Sequence, residues 1–421
     1  MSPLTPAQAE ERLLSLELFG MHFGLERMRR LMTALGHPER TFESIHVVGT
    51  NGKSSTTRMI AAILRHHGLH VGAYLSPHLV SYSERIRVED QDLTAPEFAA
   101  AIERALHAAE VVNRTAGEDD QVTQFELLTA AAYSELARRG VQVAVIEAGL
   151  GGRYDATSVI PSKVQVLTSV GLEHTRWLGP TVEAIAREKL DVIQSGATLV
   201  LGPDMHPDAA AVAEEVAGLR GARIVQAGSD PGVPVAALGS FQRRNFAVAR
   251  AAAEAFLGSL DERAVAAAAA EIHVPGRLQV VGEDPLTLLD GAHNPDGIAA
   301  LAESLPEVAG RRRVVSVVSI LDDKDAAGML RTLAPLSSVL VLTSCRNPRA
   351  LPPPTLLSLA GQVAGSGDLH AEVVRDPLVA LAQARELAGP DGVVVATGSI
   401  YLISDLLAGG DRGAGRRASM L

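Results

Sequence analysis

The sequence predicts an α/β protein of two domains, a larger one with a mostly parallel, P-loop-type sheet and a smaller one that follows it. Three observations support this fold class. Short apolar runs alternate with longer segments of helical apolar spacing, which is typical of parallel sheets. A glycine-rich turn joins an early strand to a helix, and the strand–helix alternation begins afresh beyond Gly282. The 421 residues also exceed one ordinary domain.

The first domain, residues 1–281, begins with helical apolar spacing over residues 13–35, interrupted at 19–24. From Ile45 the pattern is a strand, a turn, a helix over residues 54–67 and a strand over 71–73, which predicts a βαβ unit. Further helices are predicted over residues 94–109, 124–138, 209–219, 242–256 and 262–271, and further strands over residues 141–146, 164–168 and 197–201.

The turn of the βαβ unit has the chemistry of a phosphate-binding loop. Gly49 and Gly52 allow backbone N–H groups to converge on an anion at the start of a helix. Lys53 can reach outer phosphates, and Ser54 or Ser55 can face Mg²⁺. The strict pattern G-x-x-x-x-G-K-[ST] is broken, because its first glycine falls on Val47. A plain structural turn is the alternative.

Other polar residues follow predicted strands of the same sheet. Ser76 lies in a proline-stiffened loop after the strand over 71–73, where ligands of open α/β sheets bind. Glu147 ends a continuous apolar strand, as a Walker B carboxylate does. His174 follows the strand over 164–168, so it is expected at the same sheet edge as Lys53 and Glu147. The alternatives are that Glu147 caps a loop and that His174 is structural.

The second domain, residues 282–421, repeats the alternation on a smaller scale. A strand over residues 286–289 leads into the turn Asp290-Gly291-Ala292-His293-Asn294-Pro295, which is followed by a helix. Later strands are predicted over residues 314–319, 339–343, 372–374 and 393–396. The domain boundary is predicted near Val281, with Arg277 and Asp290 on either side of the cleft.

Composition excludes several classes of function. The formal charge of −11 argues against a nucleic-acid or anionic-membrane surface. Cys345 is the single cysteine, so an internal disulfide and a thiolate metal cluster are excluded. The start of the chain has neither a basic nor an apolar signal region, and no run approaches the length of a membrane span. These observations predict a cytoplasmic protein.

Several motifs occur in a fixed order from about Phe19 to Tyr401, and together they carry a resemblance. They are Gly49-Thr50-Asn51-Gly52-Lys53, Ser76-Pro77-His78-Leu79, Glu147-Ala148-Gly149-Leu150-Gly151-Gly152-Arg153, His174-Thr175, Glu188-Lys189, Pro275-Gly276-Arg277, Asp290-Gly291-Ala292-His293-Asn294-Pro295, Asp323-Lys324-Asp325 and Thr397-Gly398-Ser399. The ordered set closely resembles the folylpolyglutamate synthase and dihydrofolate synthase family, within the Mur ligase superfamily.

The resemblance implies an ATP-dependent amide ligase with an N-terminal ATPase domain and a Rossmann-like C-terminal domain. The phosphates are then expected on Thr50, Asn51, Gly52, Lys53, Ser54 and Ser55. One Mg²⁺ is expected on Ser76 and Glu147 and a second on Glu147 and His174, and a monovalent cation is left open. Lys53, Glu147, His174 and Lys189 are the expected catalytic residues.

Lys189 is the least obvious of these residues. In a helix its simplest interpretation is a solvated surface charge. The resemblance implies instead that carbon dioxide carbamylates its amine, which turns a cation into a carboxylate-like anion near the metal.

The resemblance also implies the remaining contacts and substrates. Asn245 matches an adenine contact, Arg277 a phosphate contact, and Asp290 and His293 contacts that tie ATP to the second domain. The positions that match the pterin site are Gly20, Met21, His22, Phe23, Thr123, Glu126, Tyr154, Asp155 and Ala156. The expected substrates are L-glutamate, dihydropteroate and reduced folates. Two groups of these matches, Thr123 with Glu126 and Tyr154 with Asp155 and Ala156, favour the presence of both ligase activities. A monomer is expected.

Some positions depart from the family pattern, and two other functions are considered. Ser54 replaces a glycine, which leaves open whether Ser54 or Ser55 faces the metal, and Glu173 replaces an aspartate. A cell-wall Mur ligase with a UDP-muramyl acceptor needs an additional N-terminal domain, for which the residues before Ile45 leave little room. A regulatory nucleotide switch of the GTPase type lacks its Asn-Lys-x-Asp element in the first domain.

Overall fold

The first domain is built on an eight-stranded sheet whose strand order is β4-β3-β2-β5-β1-β6-β7-β8. The structure is a computed structural model that describes residues 3–16, 24–117, 120–364 and 370–410. The predicted substrate residues Gly20, Met21, His22 and Phe23 lie outside these ranges. The strands are β1 (Glu43–Val48), β2 (Val71–Tyr74), β3 (Ile86–Val88), β4 (Gln91–Asp92), β5 (Val143–Glu147), β6 (Val164–Leu167), β7 (Thr198–Leu201) and β8 (Arg223–Gln226).

Helices cover both faces of this sheet, in which β3 alone runs opposite to the other strands and pairs antiparallel with β2 and β4. The helices are α1 (Pro6–Leu14), α2 (Glu26–Ala34), α3 (Lys53–His66), α4 (Ala95–Asn113), α5 (Gln124–Arg138), α6 (Thr175–Leu178), α7 (Val182–Leu190), α8 (Pro207–Arg220), α9 (Ser240–Leu257) and α10 (Glu262–Glu271). One core lies under α1, α2, α4 and α5, and another under α3, α9 and α10. Along β1, Ile45 and Val47 face the second of these cores.

The second domain is a six-stranded sheet in the order β13-β12-β11-β14-β10-β9. Only β9 runs antiparallel to its neighbour. The strands are β9 (Gln279–Glu283), β10 (Leu286–Leu289), β11 (Val314–Val318), β12 (Val339–Leu342), β13 (Ala371–Val373) and β14 (Val393–Thr397). The helices are α11 (Pro295–Ala309), α12 (Ala326–Leu333), α13 (Pro353–Ala364), α14 (Pro377–Ala388) and α15 (Ile400–Gly410).

The change from one sheet to the other comes earlier than the predicted boundary between residues 281 and 282. That boundary falls inside β9, which pairs with β10 and so belongs to the second sheet. Val280 and Val281 are exposed, so β9 has no buried apolar face that would mark it as a strand in the sequence. The structure therefore places the sheet change before Gln279.

Leu79 links the two domains through an apolar contact. It follows β2 in the first domain, yet it is buried in the core of the second domain among Leu289, Val317 and Ile403. The Ser404 hydroxyl, on α15, donates a hydrogen bond to the carbonyl oxygen of Leu79. The loop that follows β2 is thus held by the second domain.

No helix within the described ranges combines the length and apolar character that crossing a membrane requires.

We expect Leu79→Ala to lower the free energy of unfolding by about 2–4 kcal/mol, because it leaves a cavity in a closed core. Calorimetric unfolding of the purified protein measures this. Leu219→Ala is the control, since Leu219 lies on α8 with 79% of its surface exposed and should change stability by less than about 0.5 kcal/mol. Equal losses in the two variants would contradict the burial of Leu79 between the domains.

Candidate active site

Four loops of the first domain meet at the carboxyl ends of neighbouring strands. Strand β1 lies between β5 and β6, and β2 lies beside β5. All four run parallel, so the loops that follow them open at the same edge of the sheet. These loops carry Lys53, Ser76, Glu147 and His174, as the sequence predicts.

The turn after β1 has a backbone that glycine alone adopts readily. Gly49 and Gly52 have φ angles of +151° and +83°, and a Cβ on Gly49 would lie 1.9 Å from Thr168 Oγ1. The N–H of Thr50 donates to the carbonyl of Ser169 (2.8 Å). Lys53 begins α3, and its Nζ donates to the Thr50 carbonyl (3.2 Å). The turn therefore has the features of an anion site at a helix start.

Glu147 ends β5 as a buried carboxylate with 1% of its surface exposed. Ser54 Oγ donates to one carboxylate oxygen (2.8 Å) and the backbone N–H of Ser76 donates to the other (3.0 Å). Burial raises the pKa of Glu147, and the positive charge of Lys53 opposes that rise. Ser54 rather than Ser55 thus faces the carboxylate that the sequence assigns to a metal.

His174 adopts a left-handed backbone conformation (φ +52°) directly before α6. Burial, opposed by the charge of Glu173 and assisted by the charges of three nearby lysines, lowers the pKa of His174 to about 4. The lysines are Lys324, Lys53 and Lys189. A neutral imidazole at physiological pH is the form that binds a metal ion.

Lys189 is buried rather than a surface charge, so the simplest interpretation of its sequence position is wrong. Only 4% of the residue is exposed, and its Nζ donates to the carbonyl of Gly49 in the phosphate turn (2.8 Å). Burial lowers the pKa of Lys189 to about 7, and the charge of Lys53 adds to the effect. A substantial fraction of the Lys189 side chain is therefore an unprotonated amine at neutral pH.

Glu173 joins the two domains through polar contacts that sequence reasoning missed. Its carboxylate lies 3.2 Å from His293 Nε2, 3.1 Å from Lys324 Nζ and 3.1 Å from Asn294 Nδ2. Burial acts to raise the pKa of Glu173, but the hydrogen bond and charge of His293 and the charge of Lys324 outweigh it, so the pKa lies well below its usual range. The sequence marks Glu173 as a replacement for an aspartate before His174, which does not indicate a contact with the second domain.

Asn245, Arg277 and Asp290 are three further residues that the sequence predicts to contact the nucleotide. Asn245 Oδ1 lies against Gly52, where an added Cβ would come within 2.6 Å. The guanidinium of Arg277 lies against Gly291, in the turn after β10. Asp290, also in that turn, accepts from the backbone N–H groups of Leu278 and Ala292 (2.9 Å each). Burial raises the pKa of Asp290, and Arg277 opposes the rise.

Comparison with known proteins identifies this arrangement. Two family models match, the Mur ligase middle domain over residues 47–214 and the Mur ligase glutamate ligase domain over residues 276–400. A folylpolyglutamate synthase from Lacticaseibacillus casei is 35% identical, over 90% of this chain and 92% of the relative. The chain belongs to the folylpolyglutamate synthase/dihydrofolate synthase family. This family member is an ATP-dependent ligase.

Another relative and three solved structures agree with the assignment. A dihydrofolate synthase/folylpolyglutamate synthase from Bacillus subtilis is 31% identical, over 92% of this chain and 95% of the relative. The Mycobacterium tuberculosis synthase complexed with ADP and AMPPCP has a TM-score of 0.88 at 30% identity, covering 98% of this chain and 99% of that one. E. coli FolC in complex with DHPP and ADP has a TM-score of 0.85 at 29% identity, covering 97% of both chains.

The third structure is a bifunctional synthase from Yersinia pestis complexed with AMPPNP and a Mn ion, with a TM-score of 0.84 at 30% identity and coverage of 97% and 98%. The predicted family, fold class and reaction class are confirmed. The cell-wall ligase and the regulatory switch are not supported, because the matches that span most of this ligase are folate-type synthases.

The predicted pterin-site residues that lie in the described ranges belong to two neighbouring segments of the ligase. Thr123 and Glu126 form a reciprocal cap at the start of α5, and Arg27 pairs with Glu126 (3.1 Å). Phe125, which the sequence did not single out, lies against Gly149, where an added Cβ would come within 2.5 Å of its ring. The segment over residues 149–157 holds Tyr154, Asp155 and Ala156, of which Tyr154 is exposed.

We expect Ser54→Ala to lower the free energy of unfolding by about 1–2 kcal/mol at neutral pH, because it removes a donor from a buried carboxylate. The loss should shrink as the pH falls through the raised pKa of Glu147, since the protonated carboxyl needs that donor less. Chemical denaturation at several pH values measures it. Ser55→Ala is the matched control, and a loss in Ser54→Ala that is the same at every pH would contradict this assignment.

Proposed function

We propose that this ligase adds L-glutamate to dihydropteroate, and further glutamates to reduced folates through the γ-carboxylate, with hydrolysis of ATP to ADP and phosphate. The observation that carries the proposal is the convergence of the phosphate turn, Glu147, His174 and Lys189 at one sheet edge. His293, in the turn after β10, contacts Glu173 of the first domain, and Arg277, just before β9, lies against the same turn, so both side chains are close to this sheet edge.

The reaction proceeds through an acyl phosphate. A carboxylate is a poor electrophile at neutral pH, so one of its oxygens attacks the γ-phosphorus of ATP and ADP leaves. The amine of glutamate then attacks the acyl carbon, loses a proton and expels inorganic phosphate. Little covalent chemistry is left to the protein, which positions the reactants and neutralises charge. Lys53, at the start of α3, is placed to bind the phosphate that is transferred.

The residues at the sheet edge fit the divalent cation that the family uses. Glu147 accepts two hydrogen bonds, which leaves lone pairs on its carboxylate for a cation. Ser76 and Glu147 would hold one Mg²⁺, and Glu147 and the neutral His174 would hold the second; a monovalent cation is a further possibility for the site. Among the described residues no three His, Cys, Asp or Glu side chains converge, so phosphate oxygens would complete the coordination. When bound, Mg²⁺ offsets the charge of the phosphates.

The environment of Lys189 supports its carbamylation. Its low pKa supplies the unprotonated amine, whose nitrogen attacks carbon dioxide, forms an N–C bond and releases a proton. The product is an anion, and the nearby positive charge of Lys53 favours an anion over a second cation. The modification would thus replace an unfavourable pair of like charges by a favourable pair of opposite charges.

The remaining predicted contacts support binding of both substrates in the cleft. Asn245 is placed beside the phosphate turn for the adenine side of ATP. Asp290 orders the turn that carries His293, because both its oxygens accept backbone N–H groups. Tyr154, Asp155 and Ala156 would bind the pterin-bearing substrate with Thr123 and Glu126. A monomer remains a prediction.

We expect the purified protein to form ADP and a glutamylated product from ATP, Mg²⁺, L-glutamate and either dihydropteroate or tetrahydrofolate. Lys53→Ala and Glu147→Ala should each lower turnover by at least about 10²-fold, because they remove a phosphate ligand and a metal ligand. Lys163→Ala is the control, since Lys163 is an exposed residue paired with Glu43. Absence of product with both acceptors would disprove the proposal, and loss of the circular dichroism signal in the variants would mean that these residues are structural.

We expect a carbamate carbon signal from Lys189 when the protein is equilibrated with ¹³C-bicarbonate and examined by NMR. The signal should be absent in Lys189→Ala and should weaken as the pH falls below about 7, because the amine then becomes protonated. Lys163→Ala should keep the signal. An unmodified Lys189 at high bicarbonate would refute carbamylation without affecting the assignment of the phosphate turn.

A further inference from the structure

His46 is a buried titratable residue to which the reaction gives no role. It lies on β1, three residues before the phosphate turn, and 1% of it is exposed. Its neighbours in the sheet are Ile146 on β5 and Gln165 on β6. Central strands of parallel sheets are normally apolar on both faces. A histidine buried in such a strand needs a hydrogen-bond partner, because an unpaired buried polar group is costly.

The partner of His46 is Thr157, at the far end of the segment that follows Glu147. His46 Nε2 lies 2.8 Å from Thr157 Oγ1, and the Thr157 hydroxyl in turn contacts Asp155 Oδ1. A carboxylate only accepts hydrogen bonds, so the hydroxyl donates its proton to Asp155 and accepts from His46. The proton of His46 therefore sits on Nε2. Burial supports the neutral form, since it lowers the pKa of His46 to about 4.

Thr157 and Asp155, which follow His46 in this chain of hydrogen bonds, fix the backbone of the segment over residues 149–157. Asp155 also accepts from the backbone N–H groups of Leu150 (2.7 Å) and Thr157 (3.0 Å), so its carboxylate closes the turn over residues 150–157. Tyr133, on α5, donates to the carbonyl of Thr157 (2.8 Å). One end of the segment is thus tied to the central strand and to α5, the helix that Thr123 caps.

We propose that His46 is a positioning residue for the pterin-bearing substrate, acting through Thr157 and Asp155 on the segment that presents Tyr154 and Ala156. The inference rests on the proposed function, which assigns this segment to dihydropteroate and folate. The side-chain hydrogen bond of His46 goes to Thr157 and not to the phosphate turn, so ATP binding should be independent of it. Strand β1 would then contribute to binding of both ATP and the pterin-bearing substrate. Its end leads into the phosphate turn, and its middle holds the segment over residues 149–157 in place.

The test compares variants that remove or keep the donor. His46→Leu and Thr157→Val should each raise the KM for dihydropteroate by about tenfold, because the first removes one hydrogen bond of the chain and the second removes two. His46→Gln and Thr157→Ser keep a donor and a hydroxyl at the same places and should stay within about threefold of the wild type. The KM values for ATP and glutamate should be unchanged. The double variant His46→Leu/Thr157→Val should be no worse than Thr157→Val alone.

Gln165→Leu is the matched control for a purely structural effect. Gln165 is also fully buried and pairs with His46 in the adjacent strand, and the hydrogen bonds recorded for its side chain within the described residues go to Ser162. It should lower the melting temperature without a selective change in the KM for dihydropteroate. A parallel rise in the KM for ATP in His46→Leu, or additive effects in the double variant, would overturn the inference. If the wild type ligates neither acceptor, the proposed function itself has failed.

An NMR measurement on the unmodified protein tests the inference even if a variant does not fold. The ¹⁵N shifts of His46, assigned by the signals missing from His46→Gln or by sequential connectivities, should show a proton on Nε2 and none on Nδ1. A proton on Nδ1 in place of Nε2, or an imidazolium at neutral pH, would refute the direction of the hydrogen bonds on which the role of His46 depends.

Discussion

The carboxylate of Glu147 is buried at the end of a central strand, and the surrounding groups are arranged to accommodate its charge. Ser54 and the backbone of Ser76 donate to it, and Lys53 opposes the rise in its pKa. A buried charge is costly unless it is paired and hydrogen-bonded. The sheet order meets this requirement, because β1 and β2, whose loops supply these groups, are the two neighbours of β5. The strand order thus determines which groups surround the Glu147 carboxylate at the carboxyl edge of the sheet.

Contacts of two physical kinds set the position of the second domain. The polar ones include ion pairs of Arg243 and Arg244 on α9 with Glu307 and Glu303 on α11. Glu173 makes charged and polar contacts with His293, Lys324 and Asn294, whereas Leu79 is buried in an apolar core. The contacts of Glu173 lie at the reaction cleft, and the apolar contact holds the loop that carries Ser76. Added salt screens the exposed ion pairs between α9 and α11 strongly and the buried contacts of Glu173 much less, and it does not weaken the apolar contact of Leu79. The domain arrangement therefore combines salt-sensitive pairs at the surface with buried contacts that salt changes little.

Much of the fold could be predicted because local pattern and tertiary packing agree. The helix over residues 124–138 and the strand over 286–289 match α5 and β10, whose apolar residues are buried. The strands β3, β4, β8 and β9 were not predicted, because they are short, partly exposed and lack a continuous apolar run. Sequence motifs found Glu147 and His174. They could not show that Lys189 is buried or that Glu173 meets Lys324, since these are contacts between residues far apart in the chain.

The burial of Leu79 also limits how far the two domains are separable modules. A fragment that ended before Gln279 would expose a leucine that belongs inside another core, and the complementary fragment would contain a gap of the same shape. The second half therefore lacks a self-contained interior, because its core includes Leu79 of the first half, although each half has its own sheet. Insertion, shuffling or circular permutation at the sheet change therefore has to keep the loop that carries Leu79 packed into the second domain. A change at this point of the chain affects the stability of the second domain and the position of Ser76 together.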